Sequence, residues 1–299
     1  MCRIIFRGIH PDVKKGERGC GRSDLFITSP RFLPHPNHFL HTATTMKMKT
    51  AIIVGATSGI GMEVAKILLA EGWTLGLAGR RVELLEDLRA QYPDRVVTES
   101  IDVMLPEAAE KWVSLAERLG GVDLYLHSSG VGWYNPELDP EKEIRTAQTN
   151  GEGFVRMMTT AYNYFKTARR PGHIAAISSI AGTKGLGPAA AYSATKKMQH
   201  AYLQALVQNA RADKMRLAVT DIRPGFVSTA FIAGAKFPMQ MPADRVAQAI
   251  VRAIKQRKRI VTIDWRYRLL VAVWKLIPRC IWERITLSVE KNEQNLVNK

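Results

Sequence analysis

From Thr50 onward, short runs that are apolar at nearly every position alternate with longer runs in which apolar residues recur every three or four. Thr50-Ala51-Ile52-Ile53-Val54 has the continuous apolar character of a strand buried on both faces. Met62 to Glu71 has the spacing of an amphipathic helix and is closed by Gly72. The same reading places strands at 74–78, 95–101, 122–126, 173–177 and 217–222, with a short last one at 260–263. Helices are predicted between them at 82–92, 106–119, 144–168, 190–213 and 243–255. Repeated βα units build a parallel sheet with helices on both faces. The expected class is therefore α/β, doubly wound, with a mostly parallel seven-stranded sheet. In such sheets the ligand lies beyond the carboxyl ends of the strands, where the strand order reverses.

Residues 1–48 hold no sustained period and are rich in Gly, Pro and His, so they are set apart as a disordered extension. The apolar run Ile4-Ile5-Phe6 is too short for a signal-peptide core. Met46 and Met48 stand just before the first strand, where the functional chain is expected to begin. His35, His38 and His41 have no Cys or carboxylate beside them, and no metal site is expected. The expected layout is this extension, a catalytic domain over 49–263, and a basic amphipathic segment over 264–299.

Charge changes the picture only at the ends. Of the formal net +16, residues 1–49 carry +6 and residues 252–286 carry +8, while 287–299 are neutral, which leaves +2 for the body between. A near-neutral body argues against a nucleic-acid reader, whose basic stripe lies on a folded face. Three cysteines, Cys2, Cys20 and Cys280, make no disulfide framework, so a reducing, cytoplasmic setting is expected.

The first strand runs into Gly55-Ala56-Thr57-Ser58-Gly59-Ile60-Gly61, and the helix follows. Gly55 permits the sharp turn, Gly59 a close approach to a pyrophosphate, and Gly61 close packing of helix on strand. The unpaired N–H groups and positive dipole end of that helix would hold phosphate charge. After the second strand come Arg80 and Arg81, where sites preferring NAD place a carboxylate. Arginine binds a 2′-phosphate that a carboxylate would repel, so NADP(H) is expected over NAD(H).

Tyr192 and Lys196 are four apart at the start of a helix and share one face. A tyrosine needs a shift of about 3 units from its ordinary pKa, worth about 4 kcal/mol, to trade protons near neutrality. A nearby ammonium pushes in that direction. Ser178 and Ser179 end the fifth strand, where a hydroxyl could reach a substrate carbonyl. Asn150-Gly151 sits inside a predicted helix against its propensity, which points to a task for the side chain or for a carbonyl.

On these motifs the stretch from about 50 to 263 resembles the short-chain dehydrogenase/reductase family, and the resemblance implies a Rossmann fold. It implies that Asn150, Ser179, Tyr192 and Lys196 form a catalytic tetrad, with Ser179 chosen over Ser178 by its spacing from the tyrosine. Tyr192 would be the general acid, Lys196 would lower its pKa and hold the nicotinamide ribose, and Ser179 would bind the substrate oxygen. Asn150 would order a water that relays protons through Lys196. The coenzyme set implied is Gly55, Thr57, Ser58, Gly59, Ile60, Gly61, Arg80, Arg81, the adenine-contacting pair Asp102 and Val103, Ser129 and Gly130. It continues with Asn150, Tyr192, Lys196, Pro224, Gly225, Val227 and Thr229. Two departures stand out. Val54 replaces a threonine, and His127-Ser128-Ser129-Gly130 replaces Asn-Asn-Ala-Gly, so that His127 takes the place of a sheet-bracing asparagine.

Substrate contacts are expected from Val131, Trp133, Ser179, Tyr192, Phe226 and Phe231, on loops whose apolar, Met-rich character suits a lipid-like or steroid ketone. A 3-oxoacyl carrier substrate, or a catalytically silent NADP-binding module, are the competing readings. Residues 265–285 interleave Trp, Tyr and aliphatic residues with Arg and Lys, too interrupted to cross a bilayer. They are read as a helix on an anionic inner membrane surface, the other readings being core packing or an oligomer interface. The partners expected are a small carbonyl or alcohol substrate, this membrane surface and a second copy of the chain, with no nucleic acid.

Overall fold

The computed structural model describes residues 49–228 and 239–286, all within the unit Met46–Lys299. Thr229, Phe231 and the anticipated extension at 1–48 lie outside the described residues. The chain forms β1 (Thr50–Val54), α1 (Gly59–Ala70), β2 (Thr74–Gly79), α2 (Glu86–Gln91), β3 (Val96–Ser100), α3 (Ala108–Arg118) and β4 (Leu124–His127). It continues through α4 (Pro140–Ala147), α5 (Phe154–Ala168), β5 (Gly172–Ile177), α6 (Ala190–Ala212), β6 (Leu217–Arg223) and β7 (Val227–Ser228). It closes with β8 (Met241–Pro242), α7 (Ala243–Lys255), β9 (Ile260–Thr262), α8 (Trp265–Leu276) and α9 (Arg279–Trp282).

The main sheet has seven strands in the order β3-β2-β1-β4-β5-β6-β9, and every neighbouring pair is parallel. It is therefore wholly rather than mostly parallel, because each return to the sheet crosses through helix. The order reverses between β1 and β4, which puts the switch point at the ends of those strands. Successive residues of β1 serve opposite faces: Ala51 and Ile53 enter the core under α1 and α7, Ile52 and Val54 the core under α3 and α5. That is why its sequence is continuously apolar.

Two helices differ from expectation. The run 82–92 begins as a 3-10 turn over Val82–Leu85, and α2 after it has no buried residue to hold a longer helix. The run 144–168 is not one helix: a π turn over Gln148–Gly153 separates α4 from α5. Gly153 lies against Val103, where a Cβ would come within 2.8 Å of its side chain. At the C-terminal end, α8 buries Tyr267 and Val271 in the same core as β1 and α7. Among the described residues no helix is long and apolar enough to cross a membrane.

Candidate active site

At the end of β1 the chain turns sharply. Gly55 takes a positive φ of 91° and donates its N–H to the Ala78 carbonyl at 2.8 Å. A Cβ on Gly55 would lie 2.5 Å from the Ser129 nitrogen, and one on Gly61 would lie 2.1 Å from the Gly55 carbonyl oxygen. No other residue fits either position, so α1 starts hard against the end of β1. Gly59 is also left-handed, with φ 57°. Ser58 makes no side-chain cap, and no acidic residue stands in the first turn of α1. The positive end of the helix is left to an external anion.

The neighbouring strand completes the cradle. A Cβ on Gly79 would lie 2.7 Å from Thr57 Cγ2, so the loop leans on the end of β2. Arg81 Nη2 reaches back to donate to Ser58 Oγ at 3.4 Å, and both Arg80 and Arg81 are exposed. Ile60 packs on the core beneath. Asp102 accepts from the Met104 N–H at 3.0 Å, while Val103 is buried.

The π turn carries Asn150 into the protein. Its side chain clamps the loop after β4, accepting from the Val131 N–H at 2.9 Å and donating to the Val131 carbonyl at 2.6 Å. Gly130 lies on the same spot, where a Cβ would come 3.2 Å from Asn150 Oδ1 and 3.6 Å from Lys196 Nζ. The backbone carbonyl of Asn150 accepts from Gln199 Nε2 at 2.8 Å, and Gln199 Oε1 accepts from Lys196 Nζ at 3.1 Å. Lys196 Nζ also donates to the Ile177 carbonyl at the end of β5, at 3.1 Å.

Ser179 and Ser178 part company at the end of β5. Both are buried, but Ser179 accepts from the Ala181 N–H at 3.1 Å and hydrogen-bonds Tyr192, whereas Ser178 donates to Asp221 on β6. Burial pushes the Tyr192 phenol above its ordinary value, and the Ser179 hydrogen bond draws it down again. The Lys196 ammonium lies over the Tyr192 ring, 5.6 Å from its centroid. Burial pulls Lys196 itself down to about 8, against an upward pull from Asp221.

Pro224 is buried and accepts from the Ile180 N–H at 3.1 Å. Gly225 lies flat on the Tyr267 ring, where a Cβ would come within 2.2 Å. Tyr267 accepts from the Phe226 N–H and donates to the Met239 carbonyl, at 3.1 and 3.2 Å, so α8 holds both ends of the segment after β6. Val227 is buried in a short parallel pair with Met241. Val131 and Trp133 are half-buried on the loop after β4. His127 is buried: its Nδ1 bonds the Tyr125 hydroxyl at 2.8 Å, and burial drives its pKa down to about 3. Its Nε2 is buried without a hydrogen-bond partner, so the ring sits in the sheet interior in its neutral form.

The model of the family described as short chain dehydrogenase matches residues 49–237. An uncharacterized oxidoreductase of Myxococcus xanthus (strain DK1622) is 30% identical over 246 residues, covering 80% of this chain and 96% of that protein. An alcohol dehydrogenase from the archaeon Thermococcus sibiricus, complexed with 5-hydroxy-NADP, has a similar fold with TM-score 0.64 at 24% identity, covering 73% of this chain and 96% of that one. A 3-ketoacyl-(acyl-carrier-protein) reductase from Brucella melitensis, complexed with NADH, matches with TM-score 0.63 at 21% identity, covering 72% and 96%.

Proposed function

The chain belongs to the short-chain dehydrogenase family, and from that premise we propose that it interconverts a ketone and a secondary alcohol with NADP(H) as coenzyme. One observation carries the reading: Tyr192, Ser179, Lys196 and Asn150 meet at the carboxyl end of β5, across the switch point from an uncapped helix start behind a glycine turn. The cradle suits a dinucleotide, since Gly55, Gly61 and Gly79 leave no room for a Cβ and the first turn of α1 carries no acidic residue. Gly55, Thr57, Ser58, Gly59, Ile60 and Gly61 would hold the pyrophosphate side and Asp102 with Val103 the adenine. Pro224, Gly225 and Val227, with Thr229 outside the described residues, would border the nicotinamide. Bound there, the coenzyme supplies the hydride.

The chain's own residues then handle the proton and the charge. Ser179 donates a hydrogen bond to the carbonyl oxygen, and Tyr192 gives that oxygen its proton in reduction and takes it back in oxidation. Lys196 brings a buried positive charge over the Tyr192 ring and would bind the ribose hydroxyls of the coenzyme. Arg80 and Arg81 favour a 2′-phosphate, being exposed cations at the edge of the glycine loop.

The substrate is a lipid-like ketone. Val131, Trp133 and Phe226 offer apolar surface near Asn150 and Gly225, with Phe231 beyond the described residues. The same chemistry suits a source of substrate at an anionic membrane surface. Trp265, Leu269, Val273 and Leu276 recur along α8 at helical spacing and are between 48% and 82% exposed, among Arg268 and Lys275.

Oxidation of NADPH against a panel of medium- and long-chain ketones tests the reading. Wild-type protein is expected to turn over at least one apolar ketone, and Tyr192→Phe to lose roughly 10²–10⁴-fold in rate while still binding NADPH. Equal turnover by the two proteins would sink it.

A further inference from the structure

Gln199 lies one helical turn after Lys196 on α6 and is fully buried. A buried amide is costly unless both its ends are hydrogen-bonded. Here both are, and each partner dictates which end it meets. The ammonium of Lys196 only donates, so it takes Oε1, at 3.1 Å. The backbone carbonyl of Asn150 only accepts, so it takes Nε2, at 2.8 Å. A flipped amide would set donor against donor and acceptor against acceptor. The arrangement is thus specific for an amide of this length with this orientation.

Resting on the reaction proposed above, we infer that Gln199 is a positioning residue: its side chain ties the Lys196 ammonium to the backbone carbonyl of Asn150 in the π turn and so holds the ammonium on the face of the Tyr192 ring. The two parts of the site come from elements far apart in sequence, α6 and the π turn. Gln199 joins them, and the Ile177 carbonyl fixes the same ammonium to β5 at 3.1 Å. An amide is neither acid nor base near neutral pH. The link is a tether rather than a proton carrier.

The charged and titratable groups facing Lys196 are few. Tyr192 and His200 lie on α6, His127 on β4 and Asp221 on β6. Burial holds His127 at about 3 and His200 at about 4, so both rings are neutral at physiological pH. Asp221 is the anion that supports the ammonium, and it is itself paired with Arg223 at 2.6 Å. Gln199 Oε1 is the neutral side-chain acceptor that meets this ammonium directly, at 3.1 Å.

The test follows the ammonium directly in the full-length protein. Lysine labelled with ¹³C at Cε gives a titrating NMR signal for Lys196, identified by its loss in Lys196→Arg. The midpoint expected for wild type is near 8. Q199M keeps the length but removes the oxygen, and its midpoint is expected lower by about one pH unit. Q199E places a carboxylate against the ammonium, and its midpoint is expected higher by about one pH unit. A residue that merely fills space would move both variants alike or neither. An unchanged midpoint in Q199M, or shifts in one direction for both, overturns the inference, and Q199M decides alone should Q199E fail to fold.

NADPH affinity measured by fluorescence across the same pH range separates this from the reaction itself. Midpoints that split as expected in a protein that binds no NADPH would sustain the tether and remove the coenzyme reading. Tight NADPH binding with three equal midpoints would remove the tether and leave the coenzyme reading in place.

Discussion

Lys196 pays for its position with its proton. Its side chain is 4% exposed, and burial pulls its pKa from the ordinary 10.5 down to about 8. A lysine whose folded pKa is depressed binds its proton less tightly folded than unfolded. The resulting penalty is fully present below about pH 8 and disappears as pH rises through the unfolded value. The stability of wild type relative to Lys196→Met is therefore expected to rise by about 3 kcal/mol between pH 7 and pH 11, read from paired denaturant melts. A constant difference across that range would mean that the ammonium is not held in this environment. The neutral residues around it fit the same account: His127 and His200 cannot compete for charge, so the buried cation beside Tyr192 is Lys196 itself.

Among the elements, β2 and its exit show how a strand end selects a ligand. Arg81 is the N-cap of a 3-10 turn, a place where a cation is disfavoured by the backbone dipole, yet its guanidinium points back to Ser58. Arg81→Asp is expected to weaken NADPH binding by roughly 10–100-fold and to leave NADH binding nearly unchanged, measured by coenzyme fluorescence titration. Equal losses for the two coenzymes would mean that Arg81 does not meet the 2′-phosphate. What the sequence makes legible at this scale follows the strength of local signals. The five buried positions of β1 and the strongly amphipathic helix 243–255 are readable because burial dictates their composition. The π turn is not, since Gln148–Gly153 is polar or glycine throughout and carries no apolar spacing to mark it; only the misplaced Asn150-Gly151 hints at it. Gln199 was missed for a related reason. A polar residue three after a lysine reads as a solvated helix face, and nothing local reveals that the π turn 49 residues earlier places a carbonyl above it.

At the scale of the whole molecule, the basic C-terminal stretch and the site are one construction. Tyr267 on the inner side of α8 lies under Gly225 and bonds the backbone at Phe226 and Met239, so the helix is anchored beside the loop proposed to border the nicotinamide. The outer side presents Trp265, Leu269, Val273 and Leu276, the last 82% exposed. One face of the helix packs on the core, as the core-packing reading expects, and the exposed apolar face is the basis of the membrane contact proposed above. The charge around it is the argument for the membrane proposal, because residues 252–286 carry ten Lys and Arg against two acidic residues. Such a face favours anionic lipid, with each nearby cation worth about 1 kcal/mol at the membrane and screened within about 10 Å at moderate salt. Sedimentation with vesicles containing phosphatidylserine is thus expected to carry wild type down at low salt and to release it at about 1 M salt. Leu269→Glu, which changes an exposed side chain and touches no site residue, is expected to weaken the association at least 10-fold without altering NADPH binding. Equal sedimentation of the two proteins, or none with either, would assign the outer face of α8 to something other than a membrane.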